Sequence, residues 1–227
     1  MERIICLAAG YLCGLFQTGY IYGKLHGIDI RSYGSGNSGS TNALRVMGKK
    51  AGLTVFVGDF LKTVIPCFIT RLLFKDQPEL MYVYMLYTGL GVILGHNFPF
   101  YLGFKGGKGI AATAGIIFSI DWRLTVICLS CFILLVAVTR YVSLGSLVVS
   151  VILLVWDAVQ NLRGAYGLIP GRLEFTAVTA VITVMAFWRH RANIGRLLKG
   201  TENKVGAKKQ EIHKYSDRRG TICLRLV

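Results

Sequence analysis

Apolar stretches of membrane-spanning length recur along this chain, and they decide most of what it can fold into. A helix that crosses the hydrocarbon core needs roughly 17–25 mostly apolar residues. Segments 4–23, 52–74, 80–96, 123–139, 142–160 and 173–188 meet or approach that length. A seventh, 109–120, is short and closes on Asp121-Trp122-Arg123. Composition agrees, with 16% charged and 53% apolar residues, where about 25% charged is usual for a soluble protein. A soluble core in so small a chain could not bury these segments, and disordered chains are low in hydrophobicity. The expected fold class is an all-α integral membrane protein, a polytopic bundle of about seven transmembrane helices with one of them short.

Orientation follows from the cations. With seven spans and the N-terminus outside, nineteen of the 26 Lys and Arg fall on the inner side, six fall outside, and Lys62 lies within a span. The positive-inside rule then puts the C-terminus in the cytoplasm. The first segment ends in Gln17, Thr18 and Tyr20 without a small-residue cleavage site, so it reads as a retained helix. Residues 1–205 form the expected membrane domain, and 206–227 a basic, flexible cytoplasmic tail. Five of the six cysteines sit in apolar runs. Cys128 and Cys131 have redox or metal spacing, but no second Cys/His pair is near, and they read as packing residues. No cofactor or metal is expected.

This topology brings three distant polar stretches to one membrane face. The first runs from Arg31 through Gly34-Ser35-Gly36-Asn37-Ser38-Gly39-Ser40-Thr41-Asn42 to Arg45. Its glycines permit close backbone approach, and successive N–H groups can form an anion nest. Arg45 supplies a fork suited to phosphate. Residues 34–39 also match the dinucleotide fingerprint, but a membrane helix precedes them where a strand is required. The second stretch, from Gly95-His96-Asn97 through Lys105-Gly106-Gly107-Lys108-Gly109, carries glycines and cations without acids and opens into a helix N-terminus. Gly109 stands where a Walker A loop needs Ser or Thr. A positive-inside loop alone would explain the lysines but not their glycine flanks. In the third stretch His190, Asn193 and Arg196 recur every three residues, and would share a face if the last helix continues. Asp59 and Lys62, three apart inside a span, are expected to pair. Asp157 reads as interfacial and exposed.

Together these stretches resemble the three motifs of the bacterial acyl-phosphate-dependent glycerol-3-phosphate acyltransferases. The residues that carry the likeness are Gly34 to Arg45, then Gly95-His96 with Phe98-Pro99 and Phe104 to Gly109. His190, Asn193-Ile194, Arg196-Leu197, Gly200 and Glu202 complete it. Ser40 stands where alanine is commoner. The likeness covers roughly residues 1–205. It implies a seven-helix enzyme of the bacterial cytoplasmic membrane, with its active site at the cytoplasmic face. The reaction implied moves a fatty acyl group from acyl phosphate to the 1-hydroxyl of glycerol 3-phosphate, giving lysophosphatidic acid and phosphate, the entry step of phospholipid synthesis.

On that basis Ser35, Arg45 and Lys108 are expected to hold phosphates and offset developing charge. His190 and Asn193 are expected to orient the glycerol. Gly36, Asn37, Gly39, Thr41, Asn42, His96, Lys105, Gly106, Gly107 and Arg196 would line the phosphate sites, with Glu202 bracing the cations. The His-x4-Asp dyad of other glycerolipid acyltransferases is absent, since Tyr101 follows His96 and Gly195 follows His190 at that spacing. A substrate phosphate serves as base in the mechanism the family implies, with His190 and His96 as alternatives. The expected partners are the two small substrates and membrane lipid, not nucleic acid. A transporter for a phosphorylated solute is the alternative reading, though the internal repeats common in transporters are missing.

Overall fold

The computed structural model describes residues 1–165, 171–206, 212–216 and 222–226. Each apolar segment becomes a helix with ends within three residues of those expected. The first is interrupted: α1 (Glu2–Gly14) and α2 (Thr18–Leu25) flank a break at Leu15-Phe16-Gln17. Carbonyls freed by such a break have no water to turn to inside a bilayer, so they need internal donors. Gln17 Nε2 lies 3.2 Å from the Gly14 carbonyl oxygen, 3.2 Å from that of Gly95 and 3.1 Å from that of His96.

Two helices follow, α3 (Ser40–Met47) and α4 (Lys49–Leu73), separated by Gly48 at φ +91°. Next come α5 (Pro78–Asn97), with proline at its start, and the short α6 (Ile110–Ile120). Asp121 closes α6 and caps α7 (Trp122–Thr139) by accepting the Arg123 N–H at 2.8 Å. The remaining helices are α8 (Val142–Leu162), α9 (Arg172–Arg189) and α10 (Arg191–Leu198). Beyond them β1 (Ile212–Ser216) pairs antiparallel with β2 (Ile222–Leu226), Tyr215 opposite Cys223. This ribbon is the one departure from an all-helical chain among the described residues.

Among the described residues, four helical stretches are long and apolar enough to cross a membrane: Glu2–Leu25, Lys49–Leu73, Trp122–Thr139 and Val142–Leu162. Their outward faces carry large exposed apolar residues, including Leu61, Ile65 and Phe68 on α4 and Ile133, Leu134 and Val138 on α7. Helix α7 buries only Leu124 and Cys128. Cys131 is partly exposed, so the two cysteines pack as apolar residues.

Helix α5 is the axis of the bundle. Val83, Leu86, Val92 and Ile93 enter one core cluster with α6, α8 and α9, completed by Ile116, Leu153, Phe175 and Ile182. On its other side α5 meets α1 almost backbone to backbone. Both helices carry a Gly-x-x-x-Gly stripe, Gly10/Gly14 and Gly91/Gly95. A Cβ on Gly91 would fall 2.1 Å from the Leu7 carbonyl oxygen, and one on Gly10 would fall 2.0 Å from that of Thr88. Small residues permit such an approach, and in lipid this packing is a main source of helix association. At one end Arg3 of α1 makes a bidentate pair with Glu174 of α9, at 2.5 and 2.8 Å, and Tyr87 of α5 adds a hydroxyl at 2.9 Å.

Asp157 departs from expectation. It is fully buried, with the Thr179 hydroxyl 2.6 Å from its carboxylate. Helix α8 runs on to Leu162, and α9 covers the position. The Asp59–Lys62 pair forms as expected, at 2.8 Å.

Because the α1–α5 contact has no room for a methyl group, Gly91→Ala should cost at least about 1–3 kcal/mol of stability. Thermal unfolding of the purified protein in detergent checks this, and an unchanged midpoint would contradict the packing described.

Candidate active site

Three segments far apart in sequence close on one cavity of about 390 Å³. The first stretch is shaped by Asn42. Its Oδ1 accepts the Ser35 N–H at 2.9 Å, and its Nδ2 lies 2.9–3.1 Å from the carbonyl oxygens of Ile30, Tyr33 and Asn37. Asn37 Oδ1 in turn accepts the Gly39 N–H at 2.8 Å. A loop holding Gly34 and Gly36 at positive φ is thus fastened by two asparagines. Its fold leaves Ser35, Ser40 and Thr41 on the cavity wall. Arg31, bonded to Asp29 and to the Leu102 carbonyl, ties this loop to the second.

Helix α3 starts at Ser40 behind Gly39, and α6 starts at Ile110 behind Gly109 at φ +81°. Neither glycine has a side chain to cap the first N–H groups, so two helix N-termini meet the same cavity. Arg45 and Lys108 stand beside them. Arg45 forms no ion pair among the described residues, and Lys108 hydrogen-bonds the side-chain oxygen of Asn193. Burial lowers the affinity of both for protons, bringing Lys108 down to about 8; Glu202 opposes that shift, while Arg196, Arg189 and Arg45 add to it. Two under-compensated cations thus stand between two helix N-termini, an arrangement whose charge would suit a bound anion.

The third stretch completes the wall. The chain breaks at His190, so α9 does not simply continue, yet His190, Asn193 and Arg196 all line the cavity. Glu202 binds this group together: Oε1 accepts from Asn193 Nδ2 at 2.7 Å and from the Ser143 hydroxyl at 3.1 Å, and Oε2 pairs with Arg196 at 2.8 Å. His190 Nδ1 lies 2.7 Å from the Ala186 carbonyl oxygen, which can only accept. Nδ1 therefore carries the proton and Nε2 keeps its lone pair. Burial first, then Lys108, holds this imidazole down at about 4, so it is neutral at ordinary pH.

Not every expected residue reaches the cavity wall. Gly36 and Lys105 are exposed and lie off it. Gly106 and Gly107 are buried behind it, where their N–H groups donate to the carbonyls of Asn97 and His96 at 3.2 and 3.0 Å. Asn42 lines the wall, but its amide is committed to the loop. Arg189 has a role that the sequence did not announce: its guanidinium lies 2.6–3.1 Å from the carbonyl oxygens of Gly106 and Gly107. It had counted only as one more inner-side cation. Ser143 and Ser146 also join the wall from α8. Their signal in the sequence is the appearance of hydroxyls three apart at the start of an apolar helix.

The other wall is apolar, built from Leu44, Leu53, Phe56, Ile110, Phe132 and Val142. Leu53 is 65% exposed and Phe56 41%, so this wall continues onto the exposed apolar surface of α4. Among the described residues no cluster of His, Cys, Asp and Glu could hold a metal ion. A glycine-rich cationic cradle beside an apolar wall, in a bundle of membrane-length helices, fits the class of integral membrane enzymes.

Known proteins agree. The model of the glycerol-3-phosphate acyltransferase family matches residues 4–200. A glycerol-3-phosphate acyltransferase of Clostridioides difficile is 41% identical over 215 residues, covering 91% of this chain and 97% of the relative. One from Alkaliphilus metalliredigens is 39% identical, covering 92% and 98%. The glycerol 3-phosphate form of PlsY, an integral membrane glycerol 3-phosphate acyltransferase, superposes with a TM-score of 0.77 at 33% identity, covering 91% of this chain and 96% of that one. Its lysophosphatidic acid form gives 0.74. This chain belongs to the glycerol-3-phosphate acyltransferase family, and it is an acyltransferase.

Only as the ammonium can Lys108 bind an anion, and burial brings its pKa down to about 8, so that form is lost above about pH 8. A substrate phosphate monoester is already dianionic above its second pKa of about 6. From pH 7 upward, kcat/KM for glycerol 3-phosphate should therefore hold until about pH 8 and then fall tenfold per unit. A profile flat to pH 10 would remove Lys108 from substrate binding.

Proposed function

We propose that this protein transfers a fatty acyl group from acyl phosphate to the 1-hydroxyl of glycerol 3-phosphate, yielding lysophosphatidic acid and inorganic phosphate for phospholipid synthesis. The observation that carries the reading is the junction of two helix N-termini, Arg45 and Lys108 with an apolar groove. An acyl phosphate needs both halves of such a site at once.

In this reading Ser35, the first N–H groups of α3 and Arg45 hold one phosphate, with Asn37, Gly39 and Thr41 shaping the contact. Lys108 and the start of α6 hold the other. Glu202 keeps Asn193 and Arg196 in position, and Asn193 and the Nε2 lone pair of His190 orient the glycerol. The hydroxyl oxygen attacks the acyl carbonyl carbon, and the bond from that carbon to the phosphate oxygen breaks. The hydroxyl proton leaves on the departing phosphate. Acyl phosphate is an activated anhydride, so no covalent enzyme intermediate is required. Orientation and charge stabilisation supply the rate, which suits a cavity with an imidazole as weakly basic as that of His190.

We also propose seven spans with the N-terminus outside and this cavity at the cytoplasmic face of the bacterial inner membrane. The excess of Lys and Arg on that side supports it. Helix α6, at about 16 Å, reaches only about half-way across a ~30 Å core and serves as the short seventh element. The basic tail would lie in the cytoplasm.

Purified protein in detergent, given palmitoyl phosphate and labelled glycerol 3-phosphate, should release lysophosphatidic acid and phosphate in equal amounts. Arg45→Ala and Lys108→Ala should each lower turnover by at least about 10²-fold while the protein stays folded. Near-normal rates in both would sink the proposed site. Activity with acyl thioesters but not with palmitoyl phosphate would change the donor.

A further inference from the structure

Behind the second loop, α4 and α5 enclose an ionic network that the reaction as described leaves unused. Lys62 Nζ lies 2.8 Å from Asp59 Oδ1, 2.7 Å from the Phe16 carbonyl oxygen and 2.9 Å from His96 Nδ1. The Gly14 carbonyl oxygen follows at 3.4 Å. An ammonium has three protons and no lone pair. Its three short contacts use all of them, and the one to His96 can run only from Nζ–H to the Nδ1 lone pair. The Asp59 carboxylate, which also accepts from the Thr18 hydroxyl at 3.0 Å, makes the charged form of Lys62 the partner.

A neutral imidazole that accepts at Nδ1 carries its proton on Nε2. That nitrogen faces the second loop: a Cβ added to Gly107 would fall 1.8 Å from it. His96 lines the cavity, and no described residue accepts a bond from its Nε2. His190 is fixed in the opposite sense, its proton held on Nδ1 by the Ala186 carbonyl. Both rings belong to residues that line the cavity, and their remaining ring nitrogens are set in opposite senses, Nε2–H on His96 and a bare Nε2 on His190.

We propose that Lys62, braced by Asp59, locks His96 as an Nε2–H donor that hydrogen-bonds a phosphate oxygen of bound substrate. His96 is then a catalytic residue and not the general base, while Lys62 and Asp59 are positioning residues. This rests on the cavity being the phosphate site proposed above. It also explains why Gly107 has no side chain, since any Cβ would occupy the space of the imidazole edge.

The test uses the full chain in detergent with 15N-labelled histidine. The sequence has four histidines, and His96→Gln assigns the resonance of interest. Long-range 1H–15N spectra should show His96 protonated at Nε2 and bare at Nδ1, and inorganic phosphate should shift its Nε2–H signal. Lys62→Met should erase the preference for that tautomer, whereas Lys62→Arg, still a pure donor, should keep it. In turnover, Lys62→Met should lose about 10²-fold, with Lys62→Arg recovering most of it. A higher KM for glycerol 3-phosphate would put the contact on that substrate, and a lower kcat alone would put it on the acyl phosphate. A wild-type His96 protonated at Nδ1, or one unmoved by phosphate, overturns the proposal. So does an unchanged tautomer in Lys62→Met. If that variant does not fold, the wild-type and Lys62→Arg spectra still decide. The spectra need no turnover, so failure of the acyl-transfer reading shows separately, as a wild-type protein that makes no lysophosphatidic acid.

Discussion

A single ammonium inside the bilayer ties this molecule together. Removing a charge from water costs several kcal/mol unless it is paired and hydrogen-bonded, and Lys62 meets both conditions. Its carboxylate partner sits one turn away on α4, and its other protons reach the broken end of α1 and the far end of α5. The break at Leu15-Phe16-Gln17 would otherwise leave carbonyls bare in hydrocarbon. Lys62 and Gln17 supply the missing donors, and Gln17 also accepts from Ser38 at 3.2 Å. Loop one, loop two and the first helix are therefore fixed against each other through one buried polar group. The glycine stripes of α1 and α5 reinforce this, since they bring those two backbones close enough for side chains to bridge them.

That rigidity bears on the chemistry, because a site that acts by orientation loses its effect when misplaced by as little as an ångström. The proposed phosphate cradle is made largely of backbone and of side chains whose own hydrogen bonds are committed elsewhere. Asn42 fastens loop one, Arg189 clamps the carbonyls of Gly106 and Gly107, and Glu202 holds Asn193 beside Arg196. In the proposed reading the groups that meet substrate are few: chiefly Ser35, Arg45, Lys108, Asn193 and the two histidines. A cradle of this kind reorganises little as charge moves during the reaction, and that is the condition under which electrostatic stabilisation is strongest.

Much of this was legible in the sequence, for identifiable reasons. Apolar length sets the helices, so their ends, and those of the short 109–120 segment, could be located to within three residues. The first two polar stretches stood out because glycine, cations and amides recur in them without acids, and the third because His190, Asn193 and Arg196 recur every three residues. The Asp59–Lys62 pair was readable from helical spacing. What it does was not, because its partners are the His96 ring and carbonyls of a helix break that apolar periodicity cannot reveal. Arg189 was hidden among inner-side cations, where charge counting treats every arginine alike. Asp157 was misplaced because distance from a segment's end says nothing about which neighbouring helix covers it. Lys105, Gly36, Gly106 and Gly107 share the composition of a phosphate loop, and only the turn geometry separates those that line the wall from those that support it.

The two histidines show why composition alone could not assign the chemistry. Both are neutral rings on the same cavity, and either could have been taken for the base. A carbonyl can only accept and an ammonium can only donate, so the Ala186 oxygen and the Lys62 nitrogen dictate opposite tautomers. In the proposed reaction the hydroxyl needs an acceptor, the role given to His190, and the phosphate needs donors, the role given to His96 beside Lys108. A ring weakened as a base by burial still orients a hydroxyl, while the proton itself has a better destination in the departing phosphate. The absence of a histidine–carboxylate dyad fits the proposed acyl donor: an anhydride that carries its own base would leave the protein only the work of placement.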